Sequence, residues 1–376
     1  MSAYGHGRLR RGRSRSWLAT GMTGALVGYA ALAGAGTAAH AGTPINDSAR
    51  MMRADGRAHH SSEHIVWSQF VDLDFTGARI MVAASDGDSA HPLTYPAAGV
   101  VDINPRISPN GRMVAFERDD SDGISHVMLV GIDGSGLHEL DVCADPCIGA
   151  NQPTWTPDGN HLIFEKVIGP IDEGGNAQAA FLSKTDLTGD HEVRITPKRL
   201  DGVSEDANAQ FAPAGYMVVV RLNLARDRPA LFRMRPDGTH ACRLTPWALS
   251  ADTQDVSPAI SGPTKDLAVF ETYGHNEPPP GKVSAVATVK ATCGGDHRIQ
   301  YVTSPNREPV WHFNPAWSPD GKRLVFVRFK SVDGDPIVHG DLVTSRWDGS
   351  DRRRIVQDPL FDFRPDWGPA PDPYAD

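Results

Sequence analysis

Acidic residues and one histidine recur at one place in a repeated phrase of this chain, three residues before a proline or its equivalent. The residues at that place are Asp102, Ala150, Asp206, Asp255, His312 and Asp362. Carboxylates and an imidazole that converge on one point can hold a divalent cation or a basic segment of a partner. The same acids could instead bond the backbone where each strand begins. Both interpretations place these side chains at one rim of the fold, where we expect ligand binding.

A second set of charged residues follows the short apolar run after each phrase. Its members are Glu117, Glu165, Arg221 and Glu271, and Ser68 and Val327 hold the matching positions in the other repeats. Alternation along a strand turns these side chains away from the neighbouring core phenylalanine. Facing carboxylates and an arginine could form a salt-bridged network or a ligand site, and we favour the network.

Motifs of known catalytic or cofactor sites are absent from the sequence. It contains no Gly-x-Ser-x-Gly elbow, P-loop, dinucleotide fingerprint or His-Glu-x-x-His motif. The aspartate-rich turns at Asp119–Gly123 and Asp333–Asp335 could hold Ca²⁺, but they lack the distal bidentate acid of a regular calcium loop. We interpret them as solvated hairpin tips. The sequence therefore predicts no cofactor, with Ca²⁺ or another divalent cation as the open alternative.

Four cysteines form two candidate disulfides. Cys143 and Cys147 are separated by Ala-Asp-Pro, a turn-forming trio that favours a short-loop bridge. The alternative, half of a metal site, lacks a second cysteine or histidine pair at the required spacing. Cys242 and Cys293 can pair only if their segments are neighbours in the fold.

The elements that position these residues come from two alternating phrases. The best copy of the first phrase is Asn314-Pro-Ala-Trp-Ser-Pro-Asp-Gly321, whose Pro-Asp-Gly supplies a tight turn between two strands. The second phrase is a strand, a glycine-containing turn such as Asp133-Gly134, and another strand. Together they give a four-stranded unit about every 50 residues, the period of propeller blades. Six copies of each occur, and a truncated first phrase at Arg364–Gly368 ends the series.

The stretch Pro315–Phe326 resembles the TolB-like, or WD40-like, propeller repeat, and the resemblance covers residues 64–368. It implies an all-β fold: a six-bladed β-propeller of four-stranded antiparallel blades. Because the chain begins with three strands of a blade and ends with one, we expect the C-terminal strand to complete the N-terminal blade and close the ring. Residues 369–376 would form a tail. The family is used in exported or periplasmic proteins, often for binding peptide or protein.

The N-terminus predicts export. Five arginines precede a small-residue apolar stretch from Trp17 to Ala35, and Ala39-His40-Ala41 fits a cleavage site, so residues 1–41 read as a signal peptide. An uncut membrane anchor is the alternative. Residues 42–63 would be a flexible linker. Cleavage would move the formal net charge from −9 to −14, which argues against nucleic acid as a partner. No later segment is apolar enough to span a bilayer.

These observations predict a secreted, cell-envelope or periplasmic protein that is monomeric. Its predicted function is non-catalytic binding of a peptide, a protein or an envelope glycan at the channel mouth or top face. The alternative is a polysaccharide lyase or hydrolase that uses His312 and the aspartates as acid, base or metal ligands.

Overall fold

The structure is a computed structural model, and it describes residues 63–72, 76–171, 177–197, 204–223, 228–272, 284–295, 297–305, 310–330, 340–357 and 359–371. The predicted signal peptide, nearly all of the predicted linker, and the turn Asp333–Asp335 lie outside these ranges. Within them the regular secondary structure consists of strands joined by turns and loops, with the short 3-10 helix Trp247–Leu249 as the exception. No helix of the described residues is long and apolar enough to cross a membrane.

The strands pair in antiparallel groups of four, numbered here along the chain. Group 1 contains β1 (His64–Phe70), β2 (Ala78–Ala84), β3 (His91–Pro92) and the C-terminal β24 (Asp362–Gly368). Group 2 contains β4 (Val101–Ile107), β5 (Met113–Asp119), β6 (Ser125–Gly131) and β7 (His138–Leu140). Group 3 contains β8 (Cys147–Trp155), β9 (His161–Ile171), β10 (Ala177–Asp186) and β11 (Val193–Arg194). Single parallel pairs, Ala78 with Val101 and Ser125 with Gly149, connect these three groups.

The second half of the chain repeats the arrangement. Group 4 contains β12 (Ser204–Phe211), β13 (Met217–Asn223), β14 (Arg228–Met234) and β15 (Cys242–Arg243). Group 5 contains β16 (Ala251–Val256), β17 (Leu267–Thr272), β18 (Ala285–Lys290) and β19 (Gln300–Tyr301). Group 6 contains β20 (Val310–Trp317), β21 (Arg323–Lys330), β22 (Gly340–Arg346) and β23 (Arg353–Val356).

The first strands of successive groups contact one another. β24 contacts β4, β4 contacts β8, β8 contacts β12, β12 contacts β16, β16 contacts β20, and β20 contacts β24. The apolar core lies between successive groups. Phe116 faces group 1 in one cluster, whereas Ala115 faces Phe164 of group 3 in another. Because both faces of a second strand are covered, these strands read as continuous apolar runs in the sequence.

A bulge interrupts every first strand at its middle. One residue there has a positive φ: Asn104 (54°), Gln152 (50°), Asn208 (47°), Thr253 (42°), Asn314 (50°) and Arg364 (52°). The pairing register with the second strand shifts at each of these places. Asparagine tolerates this left-handed conformation better than most residues, which explains the Asn-Pro of the repeated phrase. We call this residue the bulge residue of its strand.

Two disulfides are present. Cys143 and Cys147 are bonded within the turn that leads into β8, with a Cα–Cα distance of 5.0 Å. Cys242 of β15 is bonded to Cys293, which follows β18, at a Cα–Cα distance of 5.8 Å. The second bond therefore links group 4 to group 5, the neighbouring relation that the sequence required for this pair.

Removal of β24 should destabilise the protein strongly. This strand buries Phe363 and Trp367 and hydrogen-bonds along β1, and each such side chain contributes about 1.5–3 kcal/mol when fully buried. A chain ending at Leu360 should unfold at a clearly lower temperature than the intact protein, or should aggregate, when followed by circular dichroism. A chain ending at Pro371 is the control and should keep the original melting temperature. Equal melting of both truncated chains would contradict a structural role for β24.

Candidate functional site

Three of the predicted ligand aspartates lie two residues before a bulge residue, buried between successive groups. Asp102 accepts a two-point ion pair from Arg118 across the β4–β5 pair, at 2.6 and 2.8 Å. Asp206 accepts the same pairing from Arg221 at 2.5 and 2.9 Å. Both aspartates are therefore held by an arginine of the strand paired beside them.

Asp362 and His312 occupy the same repeat position with different neighbours. Oδ1 of Asp362 accepts hydrogen bonds from the Trp67 indole at 2.7 Å and the Gln69 amide at 2.9 Å. The His312 ring meets Phe326 edge-on at 5.6 Å, and its backbone N–H donates to the carbonyl of Ser284 in group 5. The structure thus places all four residues between neighbouring sheets, and their predicted role in ligand binding stays a prediction.

Asp255, the fifth predicted ligand residue, occupies a different repeat position. The bulge residue of β16 is Thr253, so Asp255 lies two residues after the bulge rather than two before it. The sequence prediction counted back from the wrong proline of this repeat. Pro258 belongs to the Ser-Pro of the hairpin turn, since Ser257 bonds across to Leu267, whereas Gln254 stands where four of the other repeats have the first proline. The residue of β16 that corresponds to Asp102 is Ala251.

The position of Asp255 faces the axis that the first strands surround. The equivalent residues are Arg106, Thr154, Gln210, Asp255, Ala316 and Asp366. Arg106 forms an ion pair with Asp366 of group 1 at 3.1 Å. Its Nη2 and Nε also donate at 2.9 and 3.1 Å to Gln210 of group 4, when the amide oxygen faces the guanidinium. Arg106 therefore connects group 2 both to its neighbour, group 1, and to group 4, which is two groups further along the chain.

The charge of Arg106 also reaches Asp255. Burial raises the pKa of Asp255 to about 6, Arg106 opposes that rise, and Asp366 adds to it. Oδ2 of Asp255 accepts the backbone N–H of Trp317 in group 6 at 2.6 Å. Asp255 thus connects group 5 to the next group while taking part in the axial cluster around Arg106.

The residues of the predicted second set lie on two different faces of the second strands. The set consists of Glu117, Glu165, Arg221 and Glu271. Glu117 and Glu271 each pair with the residue that precedes the bulge residue in the first strand of their own group. Each glutamate accepts a hydrogen bond from the bulge residue of the following group. Oε2 of Glu117 accepts the backbone N–H of Gln152 at 2.8 Å. Oε2 of Glu271 accepts the backbone N–H of Asn314 at 3.1 Å. A bulge removes a backbone N–H from the ladder, so a buried carboxylate supplies the missing acceptor.

Arg221 does not belong to this set. It pairs with Asp206 and so corresponds to Arg118; the residue of β13 that matches Glu117 is Val220. The hairpin of group 4 is one residue shorter, since Ala212 bonds to Tyr216 immediately after Gly215, whereas Ser108 bonds to Met113. One residue fewer turns every later side chain to the opposite face. Arg221 therefore lies on the other face of its strand and forms its ion pair with Asp206 rather than with these glutamates.

Arg364, the bulge residue of β24, also faces the axis. Its backbone N–H donates to Oδ1 of Asn314 at 3.2 Å, and its guanidinium lies 3.4 Å from Oγ1 of Thr253 in group 5. Its charge lowers the pKa values of Asp252 and Glu117, which burial raises. Arg364 thus offsets part of the negative charge on the sides of groups 5 and 2.

The carboxylates of groups 3 and 4 are arranged differently. The pKa of Glu165 is raised to about 8: burial is the largest cause, the negative charges of Glu205, Glu117 and Asp206 add to it, and a hydrogen bond from Asn151 opposes it. Burial also raises the pKa of Glu205. Both glutamates keep partial exposure to solvent. We call Glu165, Glu205 and the two amides beside them, Asn151 and Gln152, the acidic mouth.

The amides of the acidic mouth present acceptors with no partner. Oδ1 of Asn151 and Oε1 of Gln152 are buried and make no hydrogen bond. The Asn151 side chain is 5% exposed and pairs across the strand with Glu165. Carboxyl groups and amide oxygens are acceptors, and a ligand group that carries several N–H donors is complementary to them. Among the described residues, no group of three or more His, Cys, Asp or Glu side chains has the arrangement of a metal site.

Solved structures share this architecture. TolB of Acinetobacter baumannii superposes with a TM-score of 0.58 at 15% identity, covering 82% of this chain and 67% of that one. TolB of Agrobacterium tumefaciens gives 0.53 at 13% identity, with 78% and 88% covered. Hydrazine synthase of Kuenenia stuttgartiensis gives 0.63 at 14% identity, with 82% of this chain but 47% of that chain covered. The chain has a TolB-like β-propeller fold. The sequence matches no model of a known protein family and no curated protein.

Similarity at this identity extends to the fold of the propeller alone, so the site depends on this chain's own residues. The sequence analysis did not select Arg106, Asn151, Gln152, Glu205 or Arg364. A signal for three of them was available. Arg106, Gln152 and Arg364 adjoin a proline of the repeated phrase, and the phrase places those positions at or beside the bulge of each first strand. No such signal was available for Glu205, because its repeat has Ala209 and Phe211 in place of the first proline and the tryptophan of the phrase.

Loss of the bulge acceptor should cost stability. Glu271→Ala leaves the buried N–H of Asn314 without an acceptor, which costs about 1–3 kcal/mol in the free energy of unfolding. Glu271→Gln should cost less, because its amide oxygen can still accept. Urea denaturation measures both. Glu139→Ala, at an exposed glutamate of β7, is the control and should change the stability by less than about 0.5 kcal/mol. Equal losses in the two Glu271 variants would contradict the acceptor role.

The raised pKa of Glu165 predicts a pH-dependent gain in the variant Glu165→Gln. The folded carboxyl holds its proton to about pH 8, whereas its ordinary value is 4.5. Folded wild type therefore loses stability as the pH rises from about 5 through 8, since unfolding releases that proton. The variant Glu165→Gln does not lose stability over this pH range, because its amide does not titrate. Its melting temperature should match wild type near pH 5 and exceed it at pH 9. A constant difference across this range would refute the assignment.

Proposed function

We propose that this protein is an exported six-bladed β-propeller that acts as a non-catalytic binding module. Its acidic mouth binds a positively charged group, an ammonium or a guanidinium, of a peptide or protein partner. The observation that carries this proposal is the pair of partly exposed glutamates in groups 3 and 4, where the charge of Glu205 raises the pKa of Glu165.

Six blades and a closed ring are supported by the pairing of the strands. Each group of four antiparallel strands is one blade, and the C-terminal β24 serves as the innermost strand of the first blade by pairing with β1. The contacts between first strands return from β20 to β24 and so support closure. A ring of this kind leaves no free edge among the innermost strands.

Export is supported by two independent features. Both disulfides are of the kind that persists in oxidising compartments. The first 41 residues have the order of a basic segment, an apolar stretch and a small-residue cleavage site. The function proposed here therefore operates outside the cytoplasm, on partners of the cell envelope or the surroundings.

Binding has more support than catalysis. A lyase or hydrolase that uses His312 would need the imidazole to reach a substrate, but this residue is buried against Phe326. The aspartates Asp102 and Asp206 are each neutralised by a paired arginine. In contrast, burial disfavours the ionised forms of both carboxyl groups of the acidic mouth, and the charge of Glu205 adds to this effect at Glu165. A cationic ligand would stabilise those ionised forms.

The test is binding of pentalysine by isothermal titration calorimetry at low and physiological salt. Wild type should bind, and should bind more weakly as salt rises. At pH 9, above the raised pKa of Glu165, the double variant Glu165→Gln with Glu205→Gln should lose at least about tenfold in affinity, because two ionised carboxylates are removed. The double variant Glu139→Gln with Asp190→Asn is the control: it removes the same charge from exposed positions on outer turns and strands.

Two results would contradict the proposal. One is binding of pentalysine that is equal in wild type and in the variant of the acidic mouth, which would move the site elsewhere. The other is turnover of an acidic polysaccharide by the wild type that Glu165→Gln or His312→Gln abolishes, which would favour the lyase or hydrolase.

A further inference from the structure

Group 6 ends in an outermost strand that differs from those of the other groups. β23 (Arg353–Val356) contains four residues and two adjacent arginines, and Arg352 precedes it. The outermost strands β3, β7, β11, β15 and β19 contain two or three residues and at most one arginine each. β23 is the last strand of its sheet, and within the described ranges it pairs only with β22. Its outer edge is therefore a strand edge without a strand partner in the part of the chain that the structure describes.

Three arginines lie on one face of the sheet beside that edge. Arg323 of β21 is directly opposite Arg346 of β22 in the pairing register. Thr344, two residues before Arg346 and so on the same face, is opposite Arg353 of β23. Nη2 of Arg323 lies 3.4 Å from Oγ1 of Thr344, in agreement with a shared face. We call Arg323, Arg346 and Arg353 the arginine face.

One carboxylate serves two of these arginines. Asp351 forms ion pairs with Nη1 of Arg323 at 2.7 Å and with Nε of Arg353 at 3.2 Å. Arg346 is exposed and forms no ion pair with another described residue. The carboxylate of Asp348, in the turn after β22, accepts the N–H and hydroxyl groups of its own turn. The arginine face therefore keeps an excess of positive charge.

This excess contrasts with the rest of the chain, whose formal net charge is −9. The corresponding outer turn and strand of group 2 carry Asp133 and Glu139 and no arginine. Like charges directly opposite each other on a sheet are destabilising, so the pair of Arg323 and Arg346 costs stability. A bound anion would offset that cost, because a guanidinium binds a carboxylate through two parallel N–H groups.

An open strand edge beside a basic face suits an extended acidic peptide. The backbone groups of an edge strand pair with those of an added peptide strand. Alternate side chains of such a peptide lie on one face, so acids at every second position would lie against the arginine face. Charged residues at an edge discourage pairing with apolar strands, which restricts this edge to acidic segments. A glycan or a lipid headgroup supplies anions but no backbone that matches the strand.

We propose that β23 and the arginine face bind an extended segment of a partner protein that carries aspartate or glutamate at alternate positions. The segment adds to group 6 as a further strand, with one carboxylate between Arg323 and Arg346 and another beside Arg353. This interaction goes beyond the proposed function and uses none of the residues of the acidic mouth.

The experiment measures binding of three blocked peptides to the full chain by isothermal titration calorimetry at low salt. The first peptide has the central sequence Glu-Thr-Glu-Thr-Glu. The second has glutamine in place of each glutamate, and the third keeps the glutamates but carries a methyl group on every backbone nitrogen of that sequence. The first should bind at least about tenfold more tightly than the second, which lacks the charges, and than the third, which cannot donate to a strand edge.

Variants assign the binding to this surface. Arg346→Gln with Arg353→Gln should weaken binding of the first peptide at least about tenfold. Arg346→Gln alone removes no ion pair of the described residues, so it tests the face should the double variant fold poorly, and it should weaken binding about threefold. Arg235→Gln with Arg194→Gln is the control, since it removes the same charge from an outer turn and an outermost strand of other groups. Arg235 matches Arg346, because each backbone N–H bonds to the carbonyl four residues later.

Three results would overturn the proposal. One is absence of binding by the first peptide, or equal binding of it by wild type and by Arg346→Gln with Arg353→Gln. Another is equal binding of the methylated peptide, which would exclude strand addition. The third uses polygalacturonate, a linear carboxylated glycan: tighter binding than that of the first peptide, lost in the same double variant, would make the partner a glycan instead of a protein.

Discussion

Each first strand turns through a left-handed bulge residue, and the backbone N–H released by that turn needs an acceptor from outside its own sheet. Where the acceptor is identified, it comes from the preceding group: Glu117 for Gln152, Glu271 for Asn314, and Asn314 itself for Arg364. A buried N–H without a partner is costly. Neighbouring sheets are therefore joined by directional bonds as well as by apolar packing, and these bonds fix the rotation of one sheet against the next.

The electrostatics of the axis follow from this requirement. Supplying acceptors from glutamates gathers negative charge where the first strands are closest, and burial raises the pKa values of Glu117 and Glu165. Arginines on two first strands, Arg106 and Arg364, offset the charge on part of the circumference. Groups 3 and 4 keep an excess of acceptors. A structural device that recurs from group to group thus gives groups 3 and 4 a local chemistry that differs from that of groups 5 and 2.

The repeated phrase predicted the strands, the turns and the propeller-type fold, because proline, asparagine and glycine mark backbone conformations that few other residues adopt. It did not predict every register. Asp255 was aligned with the other repeats through the wrong proline, because its repeat is degraded. Arg221 was misaligned because the hairpin before it is one residue shorter than that of group 2. Each of these two errors placed the side chain on the wrong face of its strand. The grouping of Glu165, Glu205 and Asn151 depends on distances between separate strands, which spacing along one chain does not contain.

The contacts of Arg106 also bear on how movement passes through the fold. Its guanidinium extends from group 2 to Asp366 of group 1 and to Gln210 of group 4. One side chain therefore joins three groups, and a displacement of Arg106 alters the contacts of all three at the same time. A shift of one first strand is in this way transmitted to a strand with which it shares no backbone pairing.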